Sequence, residues 1–146
     1  KPEDIYRALI EATAYGTRVI VEQMVQGGLP IHRIMAAGGI ARKDPMMMQI
    51  YADVLGLPLH VSRCTQAPAL GASIYAAAAA GVGDIFRMVE TMGDRRCRIF
   101  EPNPKNQEIY DELYREYKRL HDYFGKGENA VMERLRKSAK KRGNHL

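Results

Sequence analysis

The stretch Ile34-Met35-Ala36-Ala37-Gly38-Gly39-Ile40-Ala41-Arg42-Lys43-Asp44-Pro45 reads as a strand, a tight turn and the head of a helix. Ile34 to Ala37 is a short apolar run of the kind that fills a buried strand, and Gly38-Gly39 closes it with two residues that carry no Cβ. Asp44 before Pro45 places a side-chain acceptor at an N-cap and a pre-set φ at the first helical position. Met47, Ile50, Tyr51, Val54 and Leu55 then recur at helical spacing until Gly56 and Pro58 stop the helix. Glycines at a strand end let a flat base or a phosphate approach the backbone, and N–H groups with a nearby cation, here Lys43, favour phosphate oxygens. Paired glycines also join strand to helix in many α/β proteins with nothing bound, so both readings stand. The pattern has neither the Gly-Lys-Ser/Thr ending of a Walker loop nor the spacing of a dinucleotide fingerprint.

Working outward, residues 4 to 26 read as a long amphipathic helix with Ile5, Ala8, Leu9, Ala12, Val19 and Ile20 as its apolar face, ended by Gly27-Gly28 and Pro30. On the other side, Leu59 and Val61 alternate with His60 and Ser62 as in a short strand, followed by a loop from Arg63 to Gln66. The next helix, about Pro68 to Ala80, is rich in alanine and glycine. Its small side chains predict burial against another backbone, with Leu70, Ile74 and Tyr75 as a packed face. Asp84 to Met92 reads as a capped helix, and Arg96 to Phe100 as a strand with Cys97 and Ile99 on one face. Asn103-Pro104 opens a long helix carrying Ile109, Leu113, Leu120 and Phe124, and Gly125 to Gly127 separates it from a basic final helix. Tyr110, Tyr114 and Tyr117 sit at helical spacing, which predicts packing against the domain. The alternation of helix and strand predicts a parallel α/β sheet covered by helices, thin enough that further strands are expected upstream.

The chain has 146 residues, enough for one domain with a real core, and 46% hydrophobic with 27% charged residues excludes a disordered tail or a fibre. It does not begin with Met and its first helix is under way within four residues, which marks it as an expected piece of a longer polypeptide. No run approaches the roughly 20 apolar residues of a membrane helix, and the start lacks the plan of a secretion signal, so a cytoplasmic location is expected. Cys64 and Cys97 form no Cys-x-x-Cys pair and read as reduced core thiols. His32, His60, His121 and His145 have no metal-ligand spacing and read as surface or helix-end residues, and Ser62, Ser73 and Ser138 have no nucleophile elbow. The net charge of +5 is concentrated at Arg134, Arg136, Lys137, Lys140, Lys141 and Arg142. Such an end can touch nucleic acid or membrane phosphates, but without interleaved aromatic residues a solvated tail is the expectation, with no nucleic-acid and no membrane partner.

Four segments, Glu11 to Arg18, Ala37-Gly38-Gly39, Met48 to Asp53 and Thr65 to Ala72, resemble in order and separation the C-terminal domain of FGGY-family carbohydrate kinases. The likeness continues through Tyr110 to Phe124, where it is to family members acting on L-ribulose. The resemblance implies an actin-like, ribonuclease H-like ATPase fold whose C-terminal domain is incomplete here, with residues 1–102 as part of the nucleotide-binding domain and 103–146 as a helical extension with a basic end. It implies ATP with Mg²⁺ as cofactors, and transfer of the γ-phosphoryl group to a ketopentose, L-ribulose in preference to xylulose, gluconate or glycerol, in a pathway of L-arabinose catabolism. A non-catalytic binding or assembly module on the same fold is the alternative from another class. By position, Gly38 and Gly39 would line the adenosine and phosphate side of the cleft, and Lys43 falls where some members carry an asparagine against the nucleotide. Asp44 could face the ligand or serve as the cap. The family places its catalytic aspartate, sugar pocket and first phosphate loop in the preceding part of the polypeptide, so no catalytic residue is assigned here. The expected partners are ATP or ADP, a small sugar held by the N-terminal half, and a second copy of the chain recruited through an unpaired sheet edge.

Overall fold

The computed structural model describes residues 1–93, 96–127 and 129–143, and of these the side chains of 141–143 are left aside. In chain order the elements are helix α1 (Pro2–Gln26), strand β1 (Ile34–Ala36), helices α2 (Gly39–Lys43) and α3 (Pro45–Leu55), and strand β2 (Leu59–Ser62). Helices α4 (Ala67–Ala79) and α5 (Ile85–Met92), strand β3 (Cys97–Phe100) and helices α6 (Pro104–Gly125) and α7 (Val131–Gly143) follow. His145 lies outside the described residues, as do the side chains of Lys141 and Arg142.

Three helices begin where their sequences place a cap. Asp44 accepts from the Met47 N–H at 2.9 Å, Asp84 from Phe86 and Arg87, and Asn103 from Lys105. Each satisfies one or two of the N–H groups that a helix start leaves unpaired, typically about 1 kcal/mol relative to alanine. Gly56 ends α3 at φ +63°, a left-handed conformation that favours glycine, and a Cβ there would require the end of the Gln107 side chain to shift.

The sheet has the order β1-β2-β3. β1 and β2 are parallel, as the strand-helix-strand alternation predicts, with Ile34 opposite Leu59 and Ala36 opposite Val61. β3 is antiparallel to β2, which departs from an all-parallel sheet. The Arg63 N–H donates to the Arg96 carbonyl at 3.1 Å, so the excursion through α4 and α5 returns to the end of the sheet it left and β3 can only run back.

Helix α3 carries the core on two sides. Met48 and Ala52 join Ala41, Leu59, Val61 and Phe100 in a layer between helix and sheet, while Ile50 and Val54 join Ile10, Ala14, Tyr15, Tyr110 and Tyr114 between α1, α3 and α6. Burying a side chain such as Leu59 or Val54 contributes roughly 1.5–3 kcal/mol. In α1 the buried residues are Ile10, Ala14 and Tyr15, whereas Ile5 and Leu9 stand 66% and 62% exposed, so the apolar face expected from periodicity is largely the open one. In α6 the tyrosines at 110 and 114 are buried as expected, while Ile109, Leu113, Leu120 and Phe124 face outward. Both helices have two apolar stripes, and the tyrosine hydroxyls decide between them. Tyr114 donates to Glu22 at 2.7 Å and Tyr110 to Glu11 at 3.2 Å, bonds that exist only with this stripe turned inward.

Helix α4 is a second correction. Ala72 is exposed, Tyr75 is 71% exposed and only Ile74 is buried, with α5 as the helix's principal neighbour, so the small side chains of this helix do not bring a backbone against it within the described chain. Cys64 and Cys97 are free thiols, half-buried instead of lying in the core. His60 sits in the middle of β2, its Nδ1 3.5 Å from Cys97 Sγ on the open face of the sheet, and not at a helix end. His121 lies near the end of α6 against Asp122.

The seam between α1 and α6 is held by charge. Arg18 donates to the Val54 carbonyl at 3.0 Å, to Asp111 and to Glu22, with its guanidinium 4.2 Å from the centre of the Tyr114 ring. Burial pushes the Glu22 carboxyl up, but hydrogen bonds from Tyr114, Lys118 and Arg18 outweigh it and hold the group below its ordinary value of 4.5. A depressed folded pKa contributes stability that is fully present above the unfolded value and is lost as pH falls through the folded one. Acid titration of stability should therefore show a loss beginning as pH drops below about 4.5. The Glu22→Gln variant should flatten that limb, and an unchanged acid limb by chemical denaturation at stepped pH would contradict the assignment.

Asp53 is the one charged side chain in the described core, 2% exposed. It accepts from Gln49 Nε2, the Asn103 N–H and Asn106 Nδ2, each at 2.8 Å, and Gln49 also donates to the Glu101 carbonyl at 2.8 Å. One carboxylate thus ties α3 to the start of α6. Asp53→Ala would leave buried donors unpaired, and urea unfolding should show a loss of about 3 kcal/mol or more.

Candidate functional site

Chain direction and packing put the glycine turn at the carboxyl end of β1, where open α/β sheets hold their ligands. Gly38 lies at φ +104°, ψ 176°, a region essentially closed to residues with a Cβ. That conformation turns the chain at once into the single helical turn α2, where the sequence pattern predicts only a glycine turn. Ala41 anchors α2 by packing into the layer formed with Leu59 and Val61. Opposite that anchor, Gly39, Ile40, Arg42 and Lys43 are exposed.

The three residues expected to meet a nucleotide, Gly38, Gly39 and Lys43, are therefore brought together on one turn. A Cβ built on either Gly38 or Gly39 would meet nothing within 4 Å, so the space in front of both is open and no packing within the chain requires glycine at 39. The first N–H groups of α2 have no side-chain cap. Arg42 and Lys43 make no ion pair among the described residues. A flat, Cβ-free surface beside free donors and two uncompensated cations fits a nucleotide. Asp44 serves as the α3 cap, accepting from the Met47 N–H. Among the described residues no group of three His, Cys, Asp or Glu side chains converges to hold a metal, and no residue is assigned to Mg²⁺.

Next to this turn the structure forms a cavity of about 360 Å³ between α2, β2 and β3, lined by Arg42, Ser62, Arg63, Arg98 and Phe100 among others. Sequence reading singled out none of these side chains for a site. Arg63 and Arg98 are far apart in sequence, and only the antiparallel return of β3 places them together.

A wider cleft lies elsewhere, between α1 and α6, and it is where Arg18 and Lys118 are neutralised by Glu22 and Asp111. Arg18, Glu22, Asp111 and Lys118 in it form the brace described above.

Residues 1–80 match the model of the C-terminal domain of the FGGY family of carbohydrate kinases. The chain is 51% identical over 142 residues to the ribulokinase of Bacillus licheniformis, covering 94% of this chain and 26% of that protein. It is 52% identical over 134 residues to the ribulokinase of Mycolicibacterium smegmatis, covering 91% and 23%. The chain thus spans about a quarter of the length of these relatives. Among solved structures, xylulose kinase from Rhodospirillum rubrum superposes with a TM-score of 0.69 at 31% identity, over 82% of this chain and 24% of that one. A xylulose kinase from Lactobacillus acidophilus, at 20% identity and a TM-score of 0.72 over 87% of this chain and 26% of that one, shares the fold.

The two glycines separate by their backbone. Gly38→Ala should cost about 1–3 kcal/mol because alanine is strained at that φ. Gly39→Ala, with an ordinary φ and open space, should leave stability unchanged or slightly raised in the same denaturation experiment.

Proposed function

The chain belongs to the FGGY family of carbohydrate kinases, and from that premise we propose that it forms the nucleotide side of an ATP-dependent kinase that phosphorylates L-ribulose. The fold is that of the actin-like ATPase C-terminal domain of these kinases. The single observation that carries the nucleotide assignment is the turn at Gly38. It is held in a glycine-only conformation, opens onto free space and is followed by helix-start N–H groups with Arg42 and Lys43 unpaired.

In this reading Gly38 and Gly39 form the flat surface on which the adenosine lies. The α2 N–H groups and Lys43 face its polar and phosphate oxygens, and Ala41 fixes the turn to the sheet so that the surface is rigid before binding. ATP supplies the γ-phosphoryl group. Transfer to a hydroxyl depends on positioning and on charge stabilisation, and the groups that hold the sugar and take its proton are assigned to the portion of such kinases outside the stretch matched here, which accounts for about three quarters of the relatives' length. Residues 1–102 then serve the nucleotide. Residues 103–146 brace them through Tyr110 and Tyr114 and end in the basic helix α7, which we read as a solvated tail. The preference for L-ribulose, yielding L-ribulose 5-phosphate in L-arabinose catabolism, rests on identity to ribulokinases of 51% and 52% against 31% to the R. rubrum xylulose kinase. A cytoplasmic location accords with a sugar kinase none of whose described helices is long and apolar enough to cross a membrane. β1 pairs with a strand on one side only, an edge that would favour a homo-oligomer.

Gly39→Val tests the assignment without disturbing the fold, since its branched side chain projects into open space. In a kinase containing this domain it should raise KM for ATP by about tenfold or more, roughly 1.4 kcal/mol of binding, while KM for the sugar stays the same. Unchanged ATP kinetics would remove the turn from the nucleotide site.

A further inference from the structure

We propose that the cavity bounded by Arg42, Arg63 and Arg98 is an oxyanion site that takes a phosphate group, and because Arg42 belongs to the glycine turn this deepens the nucleotide reading and rests on it. The three guanidiniums come from three elements, Arg42 from α2, Arg63 from the end of β2 and Arg98 from β3, and they line one cavity of about 360 Å³. Among the described residues no acidic side chain lines that cavity, and none of the three arginines makes an ion pair or a side-chain hydrogen bond. In the cleft between α1 and α6, by contrast, Arg18 is matched by Glu22 and Asp111 within hydrogen-bonding distance. Three like charges around one concavity repel one another, and a concave wall focuses their field, so the arrangement is relieved when an anion enters.

The geometry favours phosphate over an arbitrary anion. Guanidinium presents a planar fork of donors that matches two oxygens of a tetrahedral phosphate at once. Ser62, whose oxygen accepts from the Cys64 N–H at 3.2 Å, keeps its own O–H to donate. Arg98 is held in place, its guanidinium 4.7 Å from the centre of the buried Phe100 ring, so part of the ordering cost is met before a ligand arrives. The base of the cavity is set by β2 and β3, which are tied together at this end by the Arg63 N–H to Arg96 carbonyl bond at 3.1 Å. The phosphate has two possible sources: the phosphates of a nucleotide seated on the turn, or a separate phosphate compound.

Calorimetric titration of the chain with pyrophosphate, ADP and adenosine tests the site. Pyrophosphate should bind saturably, and Arg63→Gln with Arg98→Gln should weaken it by about tenfold or more while the thermal midpoint holds. Single Arg63→Gln, whose side chain makes no hydrogen bond within the described chain, gives the same reading should the double variant lose its fold. Competition between pyrophosphate and ADP identifies the nucleotide's own phosphates as the occupant, and simultaneous binding identifies a separate phosphate compound. Either supports the site. Pyrophosphate that does not bind saturably, or binds the variants as it binds the unaltered chain, overturns it. Adenosine carries no phosphate and reads the glycine turn alone: loss of adenosine binding in Gly39→Val with pyrophosphate binding intact separates failure of the turn from failure of the cavity.

Discussion

The Asp53 carboxylate is the constraint on which the described fold depends. A charge buried to 2% exposure is tolerable only when its oxygens are fully engaged, and here Gln49, Asn103 and Asn106 converge on it. Those bonds join the last turn of α3 to the junction where β3 gives way to α6. Because α3 packs the sheet on one side and α1 with α6 on the other, fixing that junction fixes both apolar layers relative to one another. The glycine turn inherits its rigidity from the same helix, since α3 begins at the Asp44 cap that follows α2.

The α1–α6 seam adds a second, polar lock. Tyr110 and Tyr114 bury rings that a purely aliphatic face could have replaced, yet their hydroxyls reach Glu11 and Glu22, and Arg18 stacks over Tyr114 while donating to the backbone of α3. Packing alone would tolerate several rotations of α1. The directional bonds select one of them. Burial, reinforced by the neighbouring Glu22, pushes the Tyr114 hydroxyl well above its ordinary range, so it remains a donor to Glu22 across accessible pH.

Between these locks the chain leaves its polar opportunities at one place. The glycine turn and the arginine cavity share α2, with Ala41 turned to the core and Arg42 and Lys43 turned away. An anchored single turn of helix that exposes two cations is suited to holding an anionic ligand. The exposed apolar stripe of α1, by contrast, has no partner among the described residues, and its chemistry resembles an interior face more than a solvated one.

What the sequence by itself determined was local. Asp44-Pro45, Asp84 and Asn103-Pro104 marked helix starts, Gly27-Gly28 and Gly56 marked ends, and alternation at Leu59 to Ser62 marked a strand, because caps, left-handed turns and a period of two are written in neighbouring residues. The pair Gly38-Gly39 was legible for the same reason. Tertiary structure alone decided which stripe of α1 and of α6 faces the core, since both stripes are apolar and only the reach of Tyr110 and Tyr114 to Glu11 and Glu22 distinguishes them. It decided that α4 stands open, because small side chains permit a close neighbour without supplying one. And it decided the arginine cavity: Arg63 and Arg98 meet because β3 returns antiparallel beside β2, a relation between distant segments that no local pattern encodes.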